Sequence, residues 1–243
     1  MAENTDKTRI TFKTLIQERD QESALILLVV PILLTLWVYY GKQADFTQLF
    51  KGLQGRWNLD FYSTIYEYIT AFLLMFWIPF FILKMIFKKK LRDFGFGIGD
   101  ARYGLRFMAI AFPFLVWAVY VGSSQAGIQS EYPLSKSSME HLHLFIIVEV
   151  FYLVYYIGWE FLFRGFMLFG LEKRFGALSA ILIQTIPSAI VHIGKPASES
   201  FGAIFAGLVF GYLAIRTRSI LYPLILHAIV GLGTDIFVIL RLH

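Results

Sequence analysis

The sequence predicts an all-α fold, a polytopic transmembrane bundle of seven to eight helices. Three observations predict it. Of 243 residues, 57% are hydrophobic and only 16% are charged, whereas a soluble domain is about half apolar and about a quarter charged. Apolar runs recur along the chain at close to the ~20 residues that a helix needs to cross hydrocarbon. Lysine and arginine gather in alternate connections between those runs, as they do in multi-pass membrane proteins.

Residues 1–23 read as an N-terminal cytoplasmic tail. The stretch "MAENTDKTRITFKTLIQERDQE" mixes both signs of charge and has no apolar core, so it is not a cleaved signal peptide. Ile10, Phe12, Leu15 and Ile16 make at most a weak stripe on the membrane surface. The spanning candidates are then 24–41, 64–87, 104–122, 142–171, 177–192, 200–215 and 220–239. The fourth is too long for one straight span and is expected to tilt, bend or project. The fifth and sixth are short, and the connection "IGKPASES" between them is expected to dip into the protein, where irregular backbone is tolerated if it lines a cavity. Residues 24–139 form an N-terminal membrane block with an inner basic loop, and 140–243 form a second block that carries the chemistry. "GFGIGD" (95–100) lacks the spacing of a nucleotide fingerprint and reads as a turn. Ala203, Gly207 and Gly211 make one small-residue edge on the sixth helix, which predicts close packing against a neighbour.

Charge sets orientation. With the N-terminus inside, 15 of the 22 Lys and Arg residues fall in inner segments and 6 in outer ones, with Arg164 left in the membrane. The positive-inside rule therefore favours a multi-pass protein of a cytoplasmic membrane with its N-terminus inside. The absence of cysteine excludes disulfides, thiolate zinc sites and cysteine nucleophiles. The net charge of +5 reads as loop charge against anionic lipid, not as nucleic-acid binding.

The chemistry lies in "YIGWEFLFRGFML" (156–168), where Glu160 and Arg164 stand four residues apart inside an apolar run. That spacing puts both on one helix face. A buried ion pair seldom improves on apolar side chains of the same volume, and an ionisable residue in the membrane is a functional candidate by default. His192 ends the fifth apolar run and His227 lies within "LYPLILHAIVGLG". A rise of about 1.5 Å per residue puts Glu160, His227 and His192 at depths of about 16, 10 and 22 Å from the inner side, close enough for one cavity. Lys195 and Glu199 follow if their connection dips inward. Glu149 is the remaining deep acid, and Asp235 lies eight residues after His227. No cofactor is called for. A metal on two histidines and a carboxylate is the lesser alternative, since HExxH is missing and the ligands come from separate helices.

"EFLFRG", an apolar helix ending in His192, and "IRTRSILYPLILH" running into "AIVG" together resemble the CPBP family of intramembrane proteases, which includes CAAX prenyl endopeptidases and bacteriocin-processing, Abi-type proteins. The resemblance covers about residues 140–240, and "LRDFGFGIGDARYGLRF" is similar to the family's upstream loop. It implies peptide hydrolysis by water that a glutamate and a histidine activate, with a later histidine and its partner stabilising the oxyanion. The implied partners are the bilayer and a membrane-associated or prenylated peptide. Glu160, Arg164, His192 and His227 carry over. Two positions depart: Trp159 stands where the first of two adjacent glutamates belongs, and Gly231 where an amide or acid belongs. Glu160 or Glu199 would then have to supply the base, and Asp235 the missing partner. Three readings follow: a protease with a rearranged site, a protease-like protein that binds without cutting, and a proton or ion pathway through Glu149, Glu160 and the histidines.

Overall fold

The computed structural model describes residues 21–53, 55 and 58–242. The surface stripe expected at Ile10 to Ile16 lies outside them. Seven apolar helices run through the described residues: α1 Gln21–Tyr40, α2 Leu59–Ile86, α3 Ala101–Gly122, α4 Leu142–Phe175, α5 Ala177–Ile190, α6 Ala197–Thr217 and α7 Leu221–Leu242. Six are long and apolar enough to cross a membrane, and α5, with 14 residues, is the short one. At about 1.5 Å per residue α5 is about 21 Å long, some 9 Å less than the hydrocarbon core.

The sixth helix corrects the sequence expectation. It has 21 residues and starts at Ala197, directly after Pro196. The polar stretch "ASES" hid its first turn. The connection before it is therefore only Val191 to Pro196, and Glu199 sits on a helix instead of a loop.

The fourth run changes its helical winding partway along. α4 is α-helical to Glu160 and then winds as a π-helix over Phe161–Phe169 before it resumes. Every residue of that π segment is buried, and such wide turns concentrate at functional sites. It sits at the centre of the molecule, where Phe161, Leu162, Phe163, Phe166 and Leu168 meet Ile26, Val30 and Trp37 of α1. By contrast, α3 turns Phe112, Phe114 and Trp117 outward, which suits a helix facing lipid.

Glycines decide how closely α5 and α6 approach. A Cβ at Gly207 would lie 2.6 Å from Thr185 Cγ2, and one at Gly211 would lie 3.0 Å from Gln184 Nε2. The missing side chains let Gln184 Nε2 donate to the Gly207 carbonyl at 2.8 Å. The small-residue edge of α6 thus holds α5, and with it the approach to His192, in place. "GFGIGD" is a turn: Gly95 and Gly99 have positive φ, and Asp100 caps α3 by accepting from the Tyr103 N–H.

Candidate functional site

The sequence-derived residues form two groups. The inner group is Glu160, Arg164 and His227. Glu160 is the last α-helical residue before the π segment and is fully buried. His227 Nδ1 lies 2.6 Å from Glu160 Oε1. A carboxylate only accepts, so Nδ1 carries the proton of this bond. Arg164 Nη1 lies 3.4 Å from the same oxygen. Glu160 Oε2 and the Nε and Nη1 of Arg164 have no protein hydrogen-bond partner. The carboxylate therefore serves two cations or donors through one oxygen, with Arg164 lodged between the rings of Phe163 and Phe210 at 5.9 and 5.7 Å.

The outer group is His192, Lys195 and Glu199, joined by Tyr132. His192 Nδ1 lies 2.7 Å from the Ser188 carbonyl. This again fixes the proton on Nδ1 and frees Nε2. That nitrogen is 3.9 Å from Glu199 Oε1, too far for a direct hydrogen bond and a span that one water bridges. The Tyr132 hydroxyl donates to Glu199 Oε1 at 2.9 Å, and Lys195 Nζ donates to the Tyr132 oxygen at 2.8 Å. Lys195 Nζ also lies 3.2 Å from Glu199 and 3.6 Å from Glu131. Burial works to push the Lys195 ammonium down, but Glu199 and then Tyr152, Tyr155 and Glu131 outweigh it and hold the group charged above its ordinary range. Burial, followed by Glu199, raises the Tyr132 phenol, so it stays a donor.

A cavity of about 640 Å³ opens beside this outer group. Val38, Lys42, Glu67, Glu131, Lys136 and Lys195 are among its lining residues, so it lies at the end of the bundle where α1 and α5 finish and α4 begins. Lys42 is paired with Glu67 at 2.8 Å and covers the Trp37 ring at 3.5 Å. Burial nonetheless lowers the Lys42 ammonium, outweighing Glu67.

Trp159 separates the two groups. Its ring, 2% exposed, lies edge-on to His192 at 5.4 Å and to His227 at 6.4 Å. The indole thus touches the histidine of each group. Gly231, the second departure, is also explained by packing: a Cβ there would lie 2.1 Å from the Tyr156 hydroxyl oxygen. The phenol takes the room a side chain at 231 would need, and its ring lies 4.3 Å from His227. Asp235 does not stand in as a partner of His227. It is buried, and neither of its carboxyl oxygens has a protein hydrogen-bond partner.

Sequence reasoning missed Tyr132 and Tyr156. The cluster "FYLVYYIGWE" put Tyr156 in view as an aromatic four residues before Glu160. Tyr132 gave no signal, because it bonds Glu199 from 67 positions away.

An all-helical bundle with paired carboxylates and histidines buried among its spans defines the class, an integral membrane protein with a polar site inside the bundle. Residues 141–232 match the family model described as Type II CAAX prenyl endopeptidase Rce1-like. The match holds Glu160, Arg164, His192, Glu199 and His227, and ends before Asp235. No curated protein and no solved structure matches the chain.

Proposed function

We propose that this protein is a CPBP-type endopeptidase that hydrolyses a peptide bond of a membrane-associated or lipidated peptide, with water activated at Glu199 and His192. The observation that carries the reading is the 3.9 Å gap between His192 Nε2 and Glu199 Oε1. A water bridging that gap faces a carboxylate and an imidazole lone pair together, the pairing that general-base hydrolysis requires. Lys195 and Tyr132 hold the same Glu199 oxygen, Oε1, and supply donors near the developing oxyanion. The adjoining cavity gives a peptide room to approach. Glu160, itself paired with Arg164, positions His227 through its Nδ1.

The expected orientation follows from charge. The cavity lies at the end of the bundle opposite the basic connection that carries Lys88, Lys89, Lys90 and Arg92. With the N-terminus inside a cytoplasmic membrane, the substrate enters from the outer side.

One observation favours a second reading, binding without cleavage: Trp159 fills the position of the expected base and walls off the inner histidine. The test is hydrolysis of quenched fluorescent peptides, prenylated and unprenylated, by the purified protein in lipid, beside His192→Ala. Cleavage that disappears in His192→Ala supports the protease. Tight peptide binding with no cleavage by the parent supports the binding module.

A further inference from the structure

Two kinds of residue line the cavity beside the outer group. Val38, Leu134, Ile190, Val191 and Ile193 are apolar. Lys42, Lys136, Lys195, Glu67 and Glu131 are charged. The volume of about 640 Å³ lies within the range of about 300–1,000 Å³ that small-molecule sites occupy.

The depth of the cavity follows from α1. That helix has 20 residues, about 30 Å at about 1.5 Å per residue, which matches the hydrocarbon core. Val38 stands in its last turn and Lys42 just beyond its end, so the cavity straddles the level where hydrocarbon gives way to head groups. The exposed Tyr39 and Tyr40 mark the same level, as tyrosines do at a membrane interface. At the end of α5, Ile190 and Ile193 are exposed. The rim of the cavity is therefore apolar where it opens to the bilayer.

Four of the five charged side chains are matched. Lys42 pairs with Glu67 at 2.8 Å, and Lys195 lies 3.6 Å from Glu131. Lys136 has no such partner. Its Nζ donates to the Tyr132 carbonyl at 2.9 Å and to the Gln129 carbonyl at 3.4 Å. Both acceptors are neutral, and among the described residues Lys136 forms no ion pair. Asp60 is engaged elsewhere, accepting from the Ser137 N–H at 2.7 Å and the Ser135 hydroxyl at 3.2 Å. An ammonium has three N–H donors, so Lys136 keeps one donor and its full charge for an anion.

We propose that this cavity holds one phospholipid, with its phosphate on Lys136 and its acyl chains leaving over Ile190 and Ile193 into the bilayer. Charge and wall point to the same occupant. A free anion gains nothing from the apolar rim, and a lipid without phosphate leaves Lys136 without a counter-charge. Lys195 lines the cavity and also lies 3.2 Å from Glu199, so the lipid stands beside the outer group. A peptide approaching through the same cavity competes with it. That competition rests on the proposed function, whereas the lipid site does not.

Native mass spectrometry tests the site on the full chain, stripped of lipid in detergent and then given one probe at a time. Dioleoylphosphatidylglycerol is expected to be retained as one tightly held molecule per chain, and dioleoylglycerol and inorganic phosphate are not. Lys136 is exposed, so Lys136→Gln keeps the fold, checked by a melting curve. It is expected to weaken retention about tenfold or more, the usual worth of a hydrogen bond to a charged group, whereas Lys136→Arg keeps the lipid. Ile190→Trp is expected to fill the mouth and displace the lipid with Lys136 intact. Retention unchanged in either Lys136→Gln or Ile190→Trp overturns the site. Dioleoylglycerol held as well as the phospholipid overturns the role of the phosphate. Inorganic phosphate held as tightly assigns the cavity to a free anion and overturns the lipid. In the peptide assay, added phospholipid is expected to raise KM with kcat unchanged, and a KM indifferent to it overturns the competition. No hydrolysis at all, with the lipid retained as expected, overturns the proposed function and leaves the lipid site standing.

Discussion

The two halves of the polar centre solve the same electrostatic problem in opposite ways. In the inner half, Glu160 and Arg164 are 0% and 2% exposed, and the carboxylate is neutralised by direct contact with a guanidinium and an imidazole. In the outer half, Glu199 is 19% exposed, its histidine stands 3.9 Å away, and the Lys195 beside it lines a cavity. The first arrangement is closed and held together by charge. The second leaves a water-sized gap in front of a carboxylate. The contrast teaches that burial and pairing go together here: the most deeply buried acid is tied to a histidine and an arginine, and the partly exposed Glu199 keeps a water-sized gap to its histidine.

Substitutions should separate the two halves. The largest expected effect is on the outer half: Glu199→Gln lowers peptide hydrolysis by about 10²–10⁴-fold, the usual worth of a general base, with little change in thermal stability. Steady-state kinetics beside a melting curve in detergent checks both. The inner half should give the reverse weighting. Glu160→Gln leaves the Arg164 charge buried with no counter-charge, and it is expected to destabilise the fold by about 3–5 kcal/mol, read as a lowered Tm. Comparable stability losses for the two substitutions would erase the distinction.

Gly231→Ala probes the wall between the halves. Its Cβ collides with the Tyr156 oxygen at 2.1 Å, and overpacking of this kind costs about 1–3 kcal/mol. Adding Tyr156→Phe removes the colliding oxygen and is expected to restore part of the loss. A double variant no more stable than the single one would show that Tyr156 does not enforce the glycine. The smallest expected effect is Lys195→Gln. It removes one of the contacts that hold Glu199 but leaves Tyr132, so kcat is expected to fall by about tenfold or less while the fold is unchanged.

Much of this architecture was legible in the sequence, because apolar runs must match hydrocarbon thickness. The bounds of α3 and α4 fall within a few residues of the runs that predicted them. The Glu160–Arg164 pair was legible from its four-residue spacing, and the glycine edge of α6 from its repeat. The start of α6 was not, because "ASES" is polar and reads as a loop. The separation of His192 from His227 was not either. It depends on where the Trp159 ring points, and that is set by Trp37, Tyr155 and Phe163 packing around it. The π winding after Glu160 leaves no mark in residue type. Depth arithmetic brought Glu160 and His227 together, whereas the place of Asp235 eight residues after His227 did not bring the two into a hydrogen bond.

The most direct test of the division of labour is peptide hydrolysis in lipid by the parent, Glu199→Gln and Trp159→Glu, assayed side by side. Cleavage by the parent that is lost in Glu199→Gln, and does not depend on a new acid at 159, is the predicted result. A silent parent with activity emerging only in Trp159→Glu would contradict the account and place the protein among those that keep the scaffold and bind without cutting.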